Sequence, residues 1–82
     1  MNEKKILESI QDIFRDVFND EDLFIGKDTG APDIEGWDSL MHITILEAVA
    51  DEYEIAFTLD EMAGMKTVGD MVEWVVRKTG GD

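Results

Sequence analysis

Residues 36–46 read Gly36-Trp37-Asp38-Ser39-Leu40-Met41-His42-Ile43-Thr44-Ile45-Leu46. A loop ends here and a helix begins. Asp38 is a good N-cap, because its carboxylate accepts bonds from the free N–H groups of a first helical turn. Downstream, His42, Ile45, Leu46, Val49 and Tyr53 share one side of that helix. Leu40, Ile43, Thr44, Glu47, Ala48 and Asp51 share another. The first side suits burial, and the second is an exposed mixture of apolar and acidic residues.

Upstream, Ile6, Leu7, Ile10, Ile13, Phe14, Val17 and Phe18 recur at helical spacing, with Asn2 as a plausible N-cap. Residues 19–38 carry no sustained period; they hold Gly26, Gly30, Gly36, Pro32 and seven carboxylates. A long connection in a small domain is more often functional than idle. Leu23, Phe24, Ile25, Ile34 and Trp37 are expected to pin it to the core. Residues 53–59 alternate like a strand, but a strand with no ladder partner is rejected. Thr58 with Glu61 and Thr67 with Asp70 form capping boxes. The first opens a short helix ending near Gly64. The second opens a last helix striped by Val68, Met71, Val72, Val75 and Val76, with Arg77 and Lys78 suiting its C-terminus and Gly80 a stop. The expected fold is all-α: a small bundle of three main helices plus one short helix, with a long first loop, as a single domain over residues 1–82.

The chain has 82 residues, of which 20 are Asp or Glu and 7 Lys or Arg, for a net charge of −13. Such a domain buries only about 60% of its unfolded surface, so the core is small. The charge argues against nucleic acid and anionic membranes, and favours a partner with a basic face. Cysteine is absent, which removes disulfides, thiolate metal sites and cysteine nucleophiles. Any thiol chemistry must come from an added group. The charged, amphipathic N-terminal stretch is not expected to act as a signal peptide, no apolar run approaches a membrane span, and the expected compartment is the cytoplasm.

Asp38, Ser39 and the lone histidine, His42, lie within five residues and suggest a catalytic triad. A chain this small offers too little scaffold for a substrate pocket with oxyanion donors, so His42 is assigned to packing or a hydrogen bond, and no enzyme is expected. A calcium loop starting at Asp33 fails at Trp37, Asp38 and Thr44, so no metal site is expected. Ser39 is the informative residue. A hydroxyl at a helix start is exposed, and four free N–H groups with the helix dipole would welcome a phosphate ester there. On position alone, an ordinary first-turn serine explains it better.

The whole pattern changes that balance. Asp38-Ser39-Leu40 after a long loop and before an acidic amphipathic helix resembles the acyl carrier protein family. The resemblance extends to the amphipathic first helix, Tyr53 near the second helix's end, a short third helix and a Val-rich fourth. It implies that Ser39 carries 4′-phosphopantetheine, added from coenzyme A by a magnesium-dependent phosphopantetheinyl transferase. It also implies that Asp38 aids recognition by that transferase. The arm's thiol would hold acyl groups as thioesters, and the carrier would deliver them to acyl-loading, condensing or acyltransferase enzymes. Those partners would present basic docking patches to Leu40, Ile43, Thr44, Glu47, Ala48 and Asp51, with the carrier as a monomer. Met41, His42, Thr44 and Ala50 make this face less acidic than in housekeeping fatty-acid carriers, which implies a specialised lipid, polyketide or related pathway. Two other readings stay open: an aminoacyl or peptidyl carrier, for which Trp37 before Asp-Ser speaks, and an unmodified acidic adaptor.

Overall fold

A computed structural model describes residues 2–80. Four α-helices follow one another: α1 (Glu3–Val17), α2 (Ser39–Tyr53), α3 (Leu59–Gly64) and α4 (Val68–Lys78). One turn of tighter helix, Ala31–Asp33, interrupts the long α1–α2 loop. The expected bundle of three longer helices and one short one is present, and residues 53–59 form no strand.

Each start is chemically marked. Asn2 Oδ1 accepts from the Lys5 N–H at 2.9 Å. Thr58 and Glu61 satisfy each other's backbone N–H groups, as do Thr67 and Asp70. The stripes then face inward. Ile6, Ile10 and Phe14 from α1 meet Ile45, Leu46 and Val49 from α2 and Val68, Met71, Val72 and Val75 from α4. Burying each such side chain contributes about 1.5–3 kcal/mol. From α3 only Met62 is buried.

The loop is tied down by side chains and backbone. Ile25 and Trp37 enter the core, with Leu23 and Ile34 packed against it. Arg15 Nε donates to the Leu23 carbonyl at 2.8 Å, and Gln11 Oε1 accepts from the Ile25 N–H at 3.0 Å. Phe24, expected to be a further pin, is instead 78% exposed. The Arg15 guanidinium lies 5.1 Å from its ring.

A contact with no sequence signature joins the loop to α4. The Val68 N–H donates to the Thr29 carbonyl and the Gly69 N–H to the Lys27 carbonyl, both at 2.9 Å, beside an isolated antiparallel bridge between Gly30 and Thr67. The loop thus satisfies the N–H groups that the start of α4 leaves open. The approach is so close that a Cβ on Gly69 would lie 2.9 Å from the Lys27 carbonyl oxygen. Gly69→Ala is therefore expected to destabilise the fold by about 1–3 kcal/mol, because backbone must shift to relieve the clash. Urea denaturation followed by circular dichroism measures it. An unchanged midpoint would mean the loop and α4 do not pack this tightly.

α2 ends where no glycine announces it. Glu54 takes the left-handed conformation, with φ 55° and ψ 45°, and its N–H caps the Ala50 and Asp51 carbonyls.

Candidate functional site

Gly36 has φ +90°, a conformation that turns the chain so that Trp37 enters the core while Asp38 reaches the helix end. Asp38 Oδ1 accepts from the Met41 N–H at 2.9 Å, and the Asp38 carbonyl accepts from the His42 N–H at 2.9 Å. These two bonds correct the expectation of four free N–H groups. Only those of Ser39 and Leu40 have no acceptor among the described residues. The contrast with α4 is informative: there, loop carbonyls take the corresponding pair.

Ser39 is the first residue of α2 and is exposed. Among the described residues nothing hydrogen-bonds its hydroxyl; Asp38 alone does the capping. Beside it opens a cleft of about 480 Å³ between the start of α2 and α3. Its walls include Trp37, His42, Ile43, Leu59, Met62 and Ala63. The cleft is mostly apolar and its size falls within the range of small-ligand sites. The sequence did not assign its α3 wall, because residues so far apart in the chain show no shared spacing.

His42 is not a base for Ser39. Its Nδ1 accepts the Trp37 indole N–H at 3.1 Å, and its Nε2 lies 2.8 Å from the Met62 carbonyl. Both ring nitrogens are engaged, so no lone pair is left to take a serine proton. Asp38 Oδ1 serves as the helix cap. The structure therefore brings Asp38, Ser39 and His42 close in the chain without assembling a triad. Among the described residues no three His, Asp or Glu side chains converge to hold a metal ion.

Leu40, Thr44, Glu47 and Asp51 form one exposed stripe along α2, with Ile43 and Ala48 half-buried beside it. Leu40 is 74% exposed. The Thr44 hydroxyl donates back to the Leu40 carbonyl at 2.9 Å, so its methyl and both oxygen lone pairs remain for a partner. Glu47 and Asp51 take part in no ion pair among the described residues. Beyond Asp51 the acidic rim continues through Glu54 around a hollow floored by Ile55 and Phe57, an extension the sequence did not single out.

Two ionisable groups are displaced from their usual values, both away from this face. Glu61 is lowered below 4.5, chiefly by the Thr58 backbone N–H and then by Lys78, whose ammonium lies 2.9 Å away. Lys27 is raised above 10.5 by its hydrogen bond and ion pair with Glu3 at 2.7 Å. Both brace elements of the fold. No helix among the described residues is long and apolar enough to cross a membrane.

Comparison with known proteins agrees with this geometry. The family model described as the phosphopantetheine attachment site matches residues 8–75. The solution structure of a holo acyl carrier protein from Geobacter metallireducens superposes with a TM-score of 0.83 at 36% sequence identity, covering 92% of this chain and 86% of that one. No curated protein sequence matches the chain. The match over most of the sequence, on a four-helix fold shared with a holo carrier, shows that this chain belongs to the acyl carrier protein family, whose generally non-catalytic domains carry covalent 4′-phosphopantetheine.

Proposed function

We propose that Ser39 is the residue that bears the 4′-phosphopantetheine arm, and that the chain carries acyl groups as thioesters on that arm between biosynthetic enzymes. The observation that carries this is the state of Ser39: an exposed hydroxyl without a partner among the described residues, at a helix start whose Ser39 and Leu40 N–H groups likewise have no acceptor among them. A phosphodiester on that oxygen keeps one negative charge where the helix dipole favours it. Attachment forms the Ser39 Oγ–phosphorus bond and breaks the diphosphate linkage of coenzyme A, so that adenosine 3′,5′-bisphosphate leaves and the serine proton is released. With both His42 nitrogens engaged, the imidazole is not free to take that proton, and in this reading the transferase removes it.

The exposed α2 stripe is the docking face in this reading. Glu47 and Asp51 meet Lys and Arg of partner enzymes, while Leu40, Ile43, Thr44 and Ala48 supply the apolar contact between them. Exposed ion pairs add about 0–1 kcal/mol each, so they steer and orient more than they hold. Fast exchange between partners follows from such weak contacts.

The test uses the unmodified protein with coenzyme A, magnesium and a broad-specificity phosphopantetheinyl transferase. One phosphopantetheinyl mass per chain is expected, together with one titratable thiol in a chain that has no cysteine of its own. Folded protein that gains neither would overturn the carrier reading and leave the acidic adaptor in its place.

A further inference from the structure

Ser39 lies between two residues that hold each other across the start of α2. With Asp38 as the N-cap, Trp37 is the residue before the cap and His42 is the fourth residue of the helix. Contact between these two positions fixes the angle at which a chain enters a helix. The usual contact of this kind is apolar and imposes little direction. Here the Trp37 indole N–H donates to His42 Nδ1 at 3.1 Å, and the two rings stack at 5.9 Å, 24° from parallel. A hydrogen bond adds direction to the packing. Trp37 is itself anchored, being buried with its ring edge-on to Phe14 at 5.1 Å. The entry to α2 is therefore referred, through one indole, to the core face of α1.

The starts of α3 and α4 are closed differently. Both use capping boxes, in which Glu61 and Asp70 reach back to the N–H of the cap residue. The matching position in α2 is Met41, which has no oxygen to do so, and the Asp38 N–H turns to the Gly36 carbonyl at 3.1 Å instead. A second carboxylate at this start would repel a phosphodiester on Ser39. The Trp37–His42 contact closes the start without adding one.

We propose that His42 is a positioning residue for arm transfer: through Trp37 it fixes the entry of the loop into α2, and with it the place of the Ser39 hydroxyl. This rests on the reading that Ser39 bears the arm. The attacking oxygen must meet phosphorus at a set distance and angle, and misplacement by about 1 Å can cost about a hundredfold in rate. Asp38 holds the helix end through one side-chain bond to the Met41 N–H, which alone would leave the chain before it free to swing. The second His42 bond, from Nε2 to the Met62 carbonyl at 2.8 Å, ties the ring to α3 and is not needed for this role. Glu47 and Asp51 lie further along α2 and do not depend on the contact.

Substitutions separate the two ring nitrogens. His42→Asn puts an acceptor close to the Nδ1 position and loses the Nε2 bond. His42→Gln puts a donor close to the Nε2 position and loses the Nδ1 bond, and His42→Leu loses both. The assay uses coenzyme A, magnesium and a broad-specificity phosphopantetheinyl transferase. In His42→Leu and His42→Gln, kcat is expected to fall about five- to tenfold, with KM for the carrier within about twofold of wild type. His42→Asn is expected to stay within about threefold of wild type in kcat. Each variant is assayed at a temperature where circular dichroism shows it folded, so that a merely structural role leaves kcat unchanged. Should His42→Leu fail to fold, Trp37→Phe, which removes the indole donor and keeps an aromatic ring, is expected to lose the same rate. Before any loading, ¹⁵N relaxation should show the Ser39 and Leu40 amides more mobile in His42→Leu, with those of Glu47 and Asp51 unchanged. Equal kcat in wild type and His42→Leu, a fall as large in His42→Asn as in His42→Gln, or unchanged Ser39 relaxation would overturn the positioning role. Absence of uptake by wild type, with the Ser39 amide mobilised in His42→Leu as expected, would instead refute the carrier reading.

Discussion

Ser39→Ala is expected to keep the fold and take up no phosphopantetheine at all. The side chain it removes is exposed and makes no hydrogen bond among the described residues. The cap of α2 belongs to Asp38, whose carboxylate holds the Met41 N–H and is untouched by the change. Alanine is the best helix former, so stability should change by no more than about 0.5 kcal/mol. Incorporation falls from one group per chain to zero, because no other oxygen takes the place of the lost nucleophile at that helix start. Intact-mass measurement after incubation with coenzyme A, magnesium and transferase reads the first effect, and urea denaturation reads the second. Uptake by the variant, or loss of uptake only because the variant is unfolded, would contradict the assignment.

Phe14→Ala is expected to cost about 3–5 kcal/mol, the range for a large aromatic removed from a closed core. Phe14 is fully buried, with its ring 5.9 Å from Phe18 and 5.1 Å from Trp37. Domains of this size hold only about 5–15 kcal/mol in total, and small ones sit at the low end. The variant should therefore be largely unfolded at 37 °C and show a steep fall in its urea midpoint by circular dichroism. The damage should reach α2, since Trp37 leans on Phe14 and His42 leans on Trp37. A loss below about 1 kcal/mol would mean that Phe14 does not organise the core.

Much of the bundle was legible because it follows from local rules. The stripes of α1, α2 and α4 repeat at helical spacing, and Asn2, Asp38, Thr58 and Thr67 mark each start with an oxygen that accepts a backbone N–H. The misses share a cause: they depend on backbone atoms distant in sequence. The pairing of Gly30 with Thr67 and the carbonyls of Lys27 and Thr29 at the head of α4 leave no trace in residue identity. Phe24 is a core residue by type, yet the loop turns it outward beside Arg15. Glu54 ends α2 in a conformation usually taken by glycine.

The site divides the same way. Asp38 and Ser39 were readable because a cap and the residue after it are set by position. The number of free N–H groups was not, since it depends on which of them the cap and the helix itself consume. His42 was rightly assigned to a structural bond. Its second partner is a main-chain carbonyl on α3, so the wall of the cleft emerged only in three dimensions.

The acidic surface has a plain physical consequence. With a net charge of −13, partners with positive patches are drawn in from a distance and like-charged ones are kept away. On the proposed docking face, the exposed Leu40 beside Ser39 would give such an encounter an apolar contact once charge has oriented it.

Fragmentation mass spectrometry of the protein after loading tests the assignment of the arm most directly. The added phosphopantetheinyl group is predicted on Ser39 and nowhere else; finding it on Ser9, Thr44 or any other hydroxyl, with Ser39 bare, would contradict the account.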